Sequence, residues 1–268
     1  MMPGVAATPE RLRATFDEAP ELYDRARPSY PAELVDDLAA LAGIGPGSRV
    51  LEIGPGPGKL TVPLARLGCR ITAVELGQRL AAVARRNLAD LPDADVVVSA
   101  FEDWPLPGEP FDAVVSASAF HWIDPAIRVI KSADALREGG ALATVGARHV
   151  AGGTAAFFAD VQACYERWDP DTPAGGTRLP AAADIQQDSA EIDESGRFGS
   201  AVFRRFERDL EYTTAAHLDT LRTYSVNLAM DPARREGLLG CIGNLIDSRY
   251  GGRITMRYLF ELRLARRR

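Results

Sequence analysis

Three glycines at alternate positions make the stretch 50–61 the strongest chemical signal in the chain. A short apolar run leads into Gly54, Gly56 and Gly58, and sequence typical of a helix follows at once. Because glycine lets bare backbone approach a ligand, this pattern is typical of a buried parallel strand that passes into a helix around a bound molecule. An ordinary glycine-rich turn between a strand and a helix is the alternative.

The spacing of this loop argues against a ligand with a run of phosphates. A dinucleotide loop has the pattern G-x-G-x-x-G, whereas here the third glycine falls one residue early. A phosphate-binding loop needs Ser or Thr after its lysine, but Leu60 follows Lys59 and offers no hydroxyl for Mg²⁺. The loop therefore favours a nucleotide-like ligand without phosphates.

A carboxylate follows the next predicted strand. Residues 70–74 are apolar and partly β-branched, and Glu75 comes directly after them. It lies about 20 residues beyond Gly54, where doubly wound folds place an acid against ribose hydroxyls. Alternatively, Glu75 is a surface residue that caps the helix predicted to start near Gln78.

Two further motifs complete a family resemblance. Ser99–Trp104 follows the third predicted strand and Ala119–Trp122 the fourth. With the glycine loop and the acid, they resemble class I S-adenosylmethionine-dependent methyltransferases, well over roughly residues 15–148 and loosely elsewhere. The segment 23–31 and the Phe-His-Trp sequence resemble the small-molecule branch, which includes enzymes similar to trans-aconitate methyltransferase. Many relatives have Cys-Gly-Thr where this chain has Pro55-Gly56-Pro57, a difference that removes a hydroxyl but should leave the backbone path intact.

The resemblance implies S-adenosylmethionine as the cofactor. It implies a binding site formed by Tyr23, Arg27, Tyr30, Glu52, Gly54, Pro55, Gly56, Gly58, Glu75, Leu76, Phe101, Glu102 and Ser116. In this reading the glycines admit the methionine part, Glu75 binds the ribose and Leu76 packs on the adenine. Phe101 offers its backbone N–H and Glu102 its carboxylate to the adenine, while Ser116 faces the methionine carbons. The alternative for the adenine residues is a loop that merely covers the sheet edge.

Tyr23, Arg27 and Tyr30 resemble an N-terminal lid that closes over cofactor and substrate. Arg27 is suited to pair with a carboxylate of either molecule. A surface salt bridge is its alternative role.

His121 is the candidate catalytic residue. It follows the fourth strand, at the edge where α/β sheets bind ligands, and an imidazole there can act as the base for a hydroxyl acceptor. The alternative is a hydrogen-bonded structural histidine between Phe120 and Trp122.

Alternating strand and helix signals place these residues on an α/β fold. We predict a doubly wound, seven-stranded sheet, mostly parallel with a reversed last strand, and a cap insertion after strand 5. The residue-by-residue alternation over 254–264 predicts a strand. Joined through the preceding helices, that strand is readily antiparallel to the others, which resembles the reversed last strand of the family. The predicted strands are 49–53, 70–74, 95–99, 111–117, 140–146, 201–212 and 254–264. The predicted parts are the lid helices 1–45, the cofactor-binding core 46–148, the substrate cap 149–200 and the completion of the core sheet by 201–268.

The composition limits which binding partners and which cellular compartment we expect. A net charge of −6 without a basic stripe disfavours nucleic acid, and no apolar run is long enough to span a membrane. The three cysteines lie far apart, so we interpret them as thiols in a reducing compartment and expect a cytoplasmic protein. The three histidines have no ligand-spaced partners, so no metal site is expected.

The sequence thus favours methyl transfer to a small-molecule acceptor, most readily an oxygen of a carboxylate or hydroxyl group. A nicotinamide-dependent oxidoreductase is one alternative, although it would need the longer glycine spacing and a parallel last strand. A non-catalytic module that holds the cofactor is another, and an RNA acceptor is disfavoured by the acidic balance.

Overall fold

The computed structural model describes residues 9–169, 172 and 178–268. The β-strands in these ranges are β1 (Arg49–Ile53), β2 (Arg70–Glu75), β3 (Ala94–Val98), β4 (Phe111–Ala117), β5 (Leu136–His149), β6 (Val202–Thr213) and β7 (Arg253–Arg266). The α-helices are α1 (Pro9–Thr15), α2 (Pro20–Ala26), α3 (Ala32–Ala42), α4 (Thr61–Arg66), α5 (Gln78–Asn87), α6 (Pro125–Ala135), α7 (Ala155–Asp160), α8 (Gln162–Trp168), α9 (Ala190–Glu194), α10 (Thr214–Leu221), α11 (Ser225–Leu228) and α12 (Pro232–Tyr250).

The strands form one seven-stranded sheet in the order β3-β2-β1-β4-β5-β7-β6. β1 pairs in parallel with β2 and β4, and the pairs β2–β3 and β4–β5 are also parallel. β7 runs against β5, because Gly140 bonds to Arg267 while Val150 bonds to Arg257, ten residues earlier along the last strand. The predicted doubly wound sheet with a reversed last strand is therefore confirmed.

Central burial explains why β1 and β4 are apolar along most of their length. Val50 and Leu51 of β1 and Val114 and Val115 of β4 have no exposed surface. A central parallel strand has neighbours on both edges and is covered on both faces, so it shows a continuous apolar run rather than alternation.

The connection from α6 to β5 differs from its prediction. The sequence places a helix over 125–138, but α6 ends at Ala135 and the strand begins at once. Phe111 of β4 pairs with Leu136 of β5, but Ala113, only two residues later, pairs with Ala141. Gly139, in the irregular stretch between these two β5 residues, has φ +70°. Only glycine adopts that conformation without strain, so the glycines absorb an irregularity inside the strand rather than end the helix.

The chain divides into two compact units. Unit 1 comprises Met1–Arg27, Arg148–Gln186 and Glu207–Leu259, and unit 2 comprises Pro28–Ala147, Gln187–Phe206 and Phe260–Arg268. Unit 2 therefore carries the glycine loop, and the four-part division inferred from the sequence stays a prediction. In the described ranges, no helix has both the length and the apolar character needed to cross a bilayer.

Inside unit 1, α8 packs closely against α12. Cys164 and Cys241 form a disulfide between the two helices, with their Cα atoms 5.7 Å apart. One turn later in α8 and one turn earlier in α12, the Trp168 ring lies against Gly237. The prediction that all three cysteines are thiols is thus wrong for two of them, because 77 residues of chain separate two positions that helix packing brings together. Only Cys69 is a free, buried thiol among the described cysteines.

Gly237→Ala should destabilise the protein by about 1–3 kcal/mol, since overpacking a close contact forces neighbouring groups to shift. A Cβ at that position would lie 2.4 Å from the Trp168 ring, whereas a Cβ at Gly240 would meet nothing within 4 Å. Gly240→Ala is therefore the matched control on the same helix and should stabilise by up to about 1 kcal/mol. Urea unfolding of both variants measures the difference, and equal effects would contradict the close packing.

Candidate functional site

The glycine loop of unit 2 depends on backbone conformations that other residues rarely adopt. Gly54, Gly56 and Gly58 have φ angles of +66°, +58° and +92°. A Cβ on Gly54 would also lie 2.5 Å from the Cβ of Ala119, which follows β4. The first glycine is therefore required both by its φ and by the close approach of the neighbouring strand end.

Glu75 fastens this loop to the end of β2. Its Oε2 accepts a hydrogen bond from the Gly56 N–H at 2.9 Å, and its Oε1 accepts one from the Gly77 N–H at 2.8 Å. Gly77 is the N-cap of α5, so the carboxylate also serves the helix start that the alternative reading assigned to it. The carboxylate thus joins the glycine loop to the start of α5.

A second hydrogen bond, which the sequence analysis missed, holds the glycine loop in place. The Asn87 side chain at the end of α5 donates to the Pro57 carbonyl at 2.9 Å. The sequence does contain an indication of this contact, because Asn87 is a polar amide in the last turn of an otherwise apolar helix face. Pro55 closes the turn from the other side, since its carbonyl accepts from the Gly58 N–H at 3.0 Å.

Two buried polar atoms flank the loop without partners. Glu52 on β1 is only 1% exposed, and neither its Oε2 nor the Thr61 hydroxyl at the start of α4 has a hydrogen-bond partner among the described residues. Burial raises the pKa of Glu52 to about 7; Thr61 opposes the rise and the Glu75 carboxylate adds to it. A buried acid with an unsatisfied oxygen is suited to a polar or cationic ligand group.

The residues proposed for the adenine lie beyond β2 and β3. Leu76 directly follows Glu75 and is 39% exposed, so an apolar side chain is available at this edge. The Phe101 side chain is buried, while its backbone N–H has no hydrogen-bond partner within the described ranges. The Glu102 carboxylate accepts from the Asp124 N–H at 3.3 Å.

Ser116 at the end of β4 is fully buried, and its hydroxyl donates to the Ile53 carbonyl at 2.9 Å. It therefore ties β4 to the end of β1 just before the glycine loop. Ser118, which the sequence analysis overlooked, is the one non-glycine residue with positive φ, +55°, in the described part of the chain. The Tyr30 hydroxyl donates to its Oγ at 3.3 Å. Such strain is a recurrent feature of ligand sites.

His121 lies in a short 3₁₀ turn, Phe120–Trp122, immediately after this region. Its ring reaches solvent and lies 4.9 Å from the Trp122 ring. Neither ring nitrogen has a hydrogen-bond partner among the residues that the structure describes. Desolvation by the surrounding chain, and secondarily Arg128, lowers the pKa of His121 below its ordinary value. A neutral, unengaged imidazole at pH 7 is able to accept a proton.

Tyr23 and Arg27 belong to unit 1 and are engaged there. The Arg27 guanidinium donates to the Thr223 hydroxyl at 2.7 Å and to the Thr223 carbonyl at 2.9 Å. It also lies over the rings of Tyr224, at 4.2 Å, and Tyr23, at 5.1 Å. The surface salt bridge considered from the sequence is absent from the described residues.

Comparison with known proteins shows what the segment that contains this site is similar to. A family profile described as a methyltransferase domain matches residues 51–144. Residues 51–144 are thus similar to a methyltransferase domain. An uncharacterized methyltransferase of Mycobacterium bovis is 39% identical over 134 residues, covering 50% of this chain and 52% of that protein.

Further similarities agree with the methyltransferase domain. A ubiquinone biosynthesis O-methyltransferase of Xanthomonas campestris is 34% identical over 135 residues, which cover 44% of this chain and 56% of that enzyme. The chain thus spans about half the length of the curated relatives it matches. A structure from Anaeromyxobacter dehalogenans assigned as a type II methyltransferase has a TM-score of 0.58 at 20% identity, covering 90% of this chain and 97% of that one. The matched segment contains the glycine loop, Glu75 and His121, so the family resemblance is confirmed where the site lies.

Glu52 should make a contribution to stability that falls as pH rises from 5 to 8, whereas the lowered pKa values of the three histidines make contributions that rise over the acidic part of that range. The pKa of Glu52 is about 7 in the folded protein, above its ordinary value of 4.5, so the folded state binds the proton more tightly and loses that advantage on ionisation. Glu52→Gln cannot ionise, so from pH 5 to pH 8 its free energy of unfolding should change by up to about 3 kcal/mol more in the stabilising direction than that of the wild type, because the histidine contributions are common to both proteins. Chemical unfolding without ligand at several pH values measures it.

The exposed carboxylate of Glu138 provides the control for this comparison. Glu138→Gln should keep the slope of the wild-type protein. An identical slope in all three proteins would show that Glu52 is ionised in the folded state.

Proposed function

We propose that this protein transfers a methyl group from S-adenosylmethionine to an oxygen of a small-molecule acceptor. The observation that carries the proposal is the Glu75 carboxylate, which is bonded to the glycine loop through Gly56 at the strand end where doubly wound folds place an acid against a ribose diol. It sits in a domain whose family performs methyl transfer.

The residues present fit the cofactor. The glycines provide a backbone surface that side chains would block, and the orphaned Glu52 Oε2 provides a buried acceptor beside it. Glu52 and Glu75 place two acids at the ends of adjacent strands, which favours a cationic ligand. Leu76 and the unpaired Phe101 N–H supply an apolar surface and a donor for an adenine base.

We assign Tyr30 to the same site through its contact with Ser118. We expect Ser116 to position the end of β1, because its hydroxyl is already bonded to Ile53. Glu102, whose carboxylate accepts from Asp124, is the proposed partner of the adenine amine. Tyr23 stays assigned to the lid, at the edge of unit 1.

The glycine loop, Glu75 and Leu76 would hold S-adenosylmethionine, which would supply an activated methyl group for the acceptor oxygen. The chain therefore has to align the acceptor and exclude water rather than activate the methyl carbon. A carboxylate acceptor needs no base. For a hydroxyl acceptor, His121 receives the proton that leaves the oxygen.

An oxygen acceptor is supported by two features. One is the Xanthomonas relative, which is named an O-methyltransferase. The other is His121, whose lowered pKa keeps a free base available at neutral pH. We propose a cytoplasmic location from the composition alone, since the disulfide between Cys164 and Cys241 removes the support that the expected thiols gave to it.

Glu75→Gln should weaken S-adenosylhomocysteine binding by at least about tenfold. A side-chain amide has one acceptor oxygen where the carboxylate has two, so either the contact with Gly56 or the contact with the ribose is lost. Isothermal titration of the full chain measures the affinity. Asp95→Asn changes an exposed acid on the neighbouring strand β3 and should leave it unchanged. Equal affinities of the wild type and Glu75→Gln for S-adenosylhomocysteine would contradict the cofactor assignment.

The same titration separates the two alternatives. Wild-type protein should bind S-adenosylhomocysteine and show no heat with NADH. Tight NADH binding would favour the oxidoreductase. Cofactor binding without turnover of any phenol or carboxylic acid in a mass-spectrometric methylation screen would favour the non-catalytic module.

His121→Ala should lower kcat with a phenol acceptor by about 10²–10⁴-fold and abolish the acid limb of the pH–rate profile. In the wild type that limb should lie below pH 6.5, since the pKa of His121 is lowered. Proton NMR titration of the imidazole locates the pKa independently. A profile unchanged by the substitution would assign His121 a structural role.

A further inference from the structure

A side chain of α6 holds the turn that carries His121. Nη1 of Arg128 donates to the Phe120 carbonyl at 3.3 Å and to the Ile123 carbonyl at 3.5 Å. These two carbonyls lie on either side of His121 and Trp122 along the chain. The guanidinium also lies over the Phe120 ring, 5.4 Å from its centre. One side chain therefore contacts both ends of the stretch 120–123.

Glu191 of α9 in turn holds Arg128. Its Oε2 accepts a hydrogen bond from the Arg128 Nε at 2.7 Å and lies 2.6 Å from the Arg128 Nη2. Its Oε1 accepts from Nη2 of Arg263 on β7 at 3.0 Å, and the Arg263 Nε donates to the Thr144 hydroxyl at 3.1 Å. All of these residues belong to unit 2. Both arginine side chains are less than one fifth exposed, so solvent screens this network less than it screens an ordinary surface ion pair.

The planar guanidinium of Arg128 joins the ion pair to the turn. Nε and Nη2 contact Glu191, whereas Nη1 makes both bonds to the turn. Because the three nitrogens lie in one rigid plane, the carboxylate sets the direction in which Nη1 points. A lysine ammonium lacks this fork and could not serve both sides in the same way. An ion pair that only fastened α9 to α6 would need Nε and Nη2 alone and would leave the turn without these bonds.

We propose that Arg128 is a positioning residue for His121 and that Glu191 positions Arg128, so that α9 sets the place of the base. A turn fixed at both ends limits the orientations of the imidazole before the acceptor hydroxyl binds. The Arg128 charge also acts on this ring, since it contributes to the lowered pKa of His121. The role in catalysis rests on the proposed function, whereas the position of the turn does not.

Proton NMR of the full chain at pH 8, above the lowered pKa of His121, tests the position of the imidazole without an acceptor. The Cε1 proton of His121 is assigned by its loss in His121→Ala. The His121 ring lies 4.9 Å from the Trp122 ring, so the chemical shift of this proton reports the geometry of the turn. Arg128→Gln and Glu191→Gln should both displace the resonance. Arg128→Lys keeps the charge without the fork and should displace it too.

Asp134→Asn is the matched control. Asp134 of α6 pairs with Arg197, which follows α9, at 2.6 Å, and neither side chain is hydrogen-bonded to 120–123 in the described part of the chain. This variant should leave the His121 resonance in place. If Glu191 only fastened α9 to α6, Asp134→Asn and Glu191→Gln would displace the resonance equally, and that result would overturn the proposal.

Kinetics with a phenol acceptor test the role in catalysis. Arg128→Gln should lower kcat by about tenfold to a hundredfold, as expected of a misplaced catalytic group, and leave the affinity for S-adenosylhomocysteine unchanged. Loss of that affinity with kcat unchanged would overturn the proposal, because Arg128 would then serve the cofactor. If Arg128→Gln fails to fold, which circular dichroism reports, Glu191→Gln provides the same measurements.

A His121 resonance that keeps its wild-type position in Arg128→Gln and Glu191→Gln would also overturn the proposal. So would a wild-type position in Arg128→Lys, because the charge alone would then account for the effect of Arg128. If the resonance moves as expected but His121→Ala keeps the full rate, the base assigned in the proposed function is wrong while the positioning of the turn stands.

Discussion

The pair of hydrogen bonds from Gly56 and Gly77 to the Glu75 carboxylate is the interaction on which the site depends. It joins a loop without regular structure to the end of a buried strand and to the start of α5. A glycine-rich loop loses more backbone entropy on ordering than other segments do, so a charge-assisted contact that fixes it has a large effect on the shape of the site. The same carboxylate is the proposed ribose ligand, so loop order and ligand binding share one side chain.

Glu52 adds an electrostatic constraint to this arrangement. Two acids lie at the ends of neighbouring strands, and burial raises the pKa of Glu52 to about 7. A cationic ligand would favour the ionised form of Glu52 and offset the repulsion between the two carboxylates. This is a physical reason for an acid on β1 in a position where an apolar residue would pack more favourably.

Much of unit 2 could be predicted from the sequence because its signals are local. The apolar run of β1, the glycine spacing, Glu75 at a strand end and the helix start at Asp124-Pro125 each follow from neighbouring residues, and the structure has those elements. Contacts between distant segments could not be predicted in this way. The approach of Ala119 to Gly54, the bond from Asn87 to Pro57 and the disulfide between Cys164 and Cys241 depend on how whole elements pack. The partners of Arg27 likewise lie almost 200 residues away, at Thr223 and Tyr224.

The most direct test of the central claim is a crystal structure of the full chain with S-adenosylhomocysteine. We expect both ribose hydroxyls to lie within hydrogen-bond distance of the Glu75 carboxylate and the amino-acid end of the ligand to lie over the loop 54–58. A ligand bound elsewhere, or a ribose that does not contact Glu75 while the loop keeps its conformation, would contradict the account.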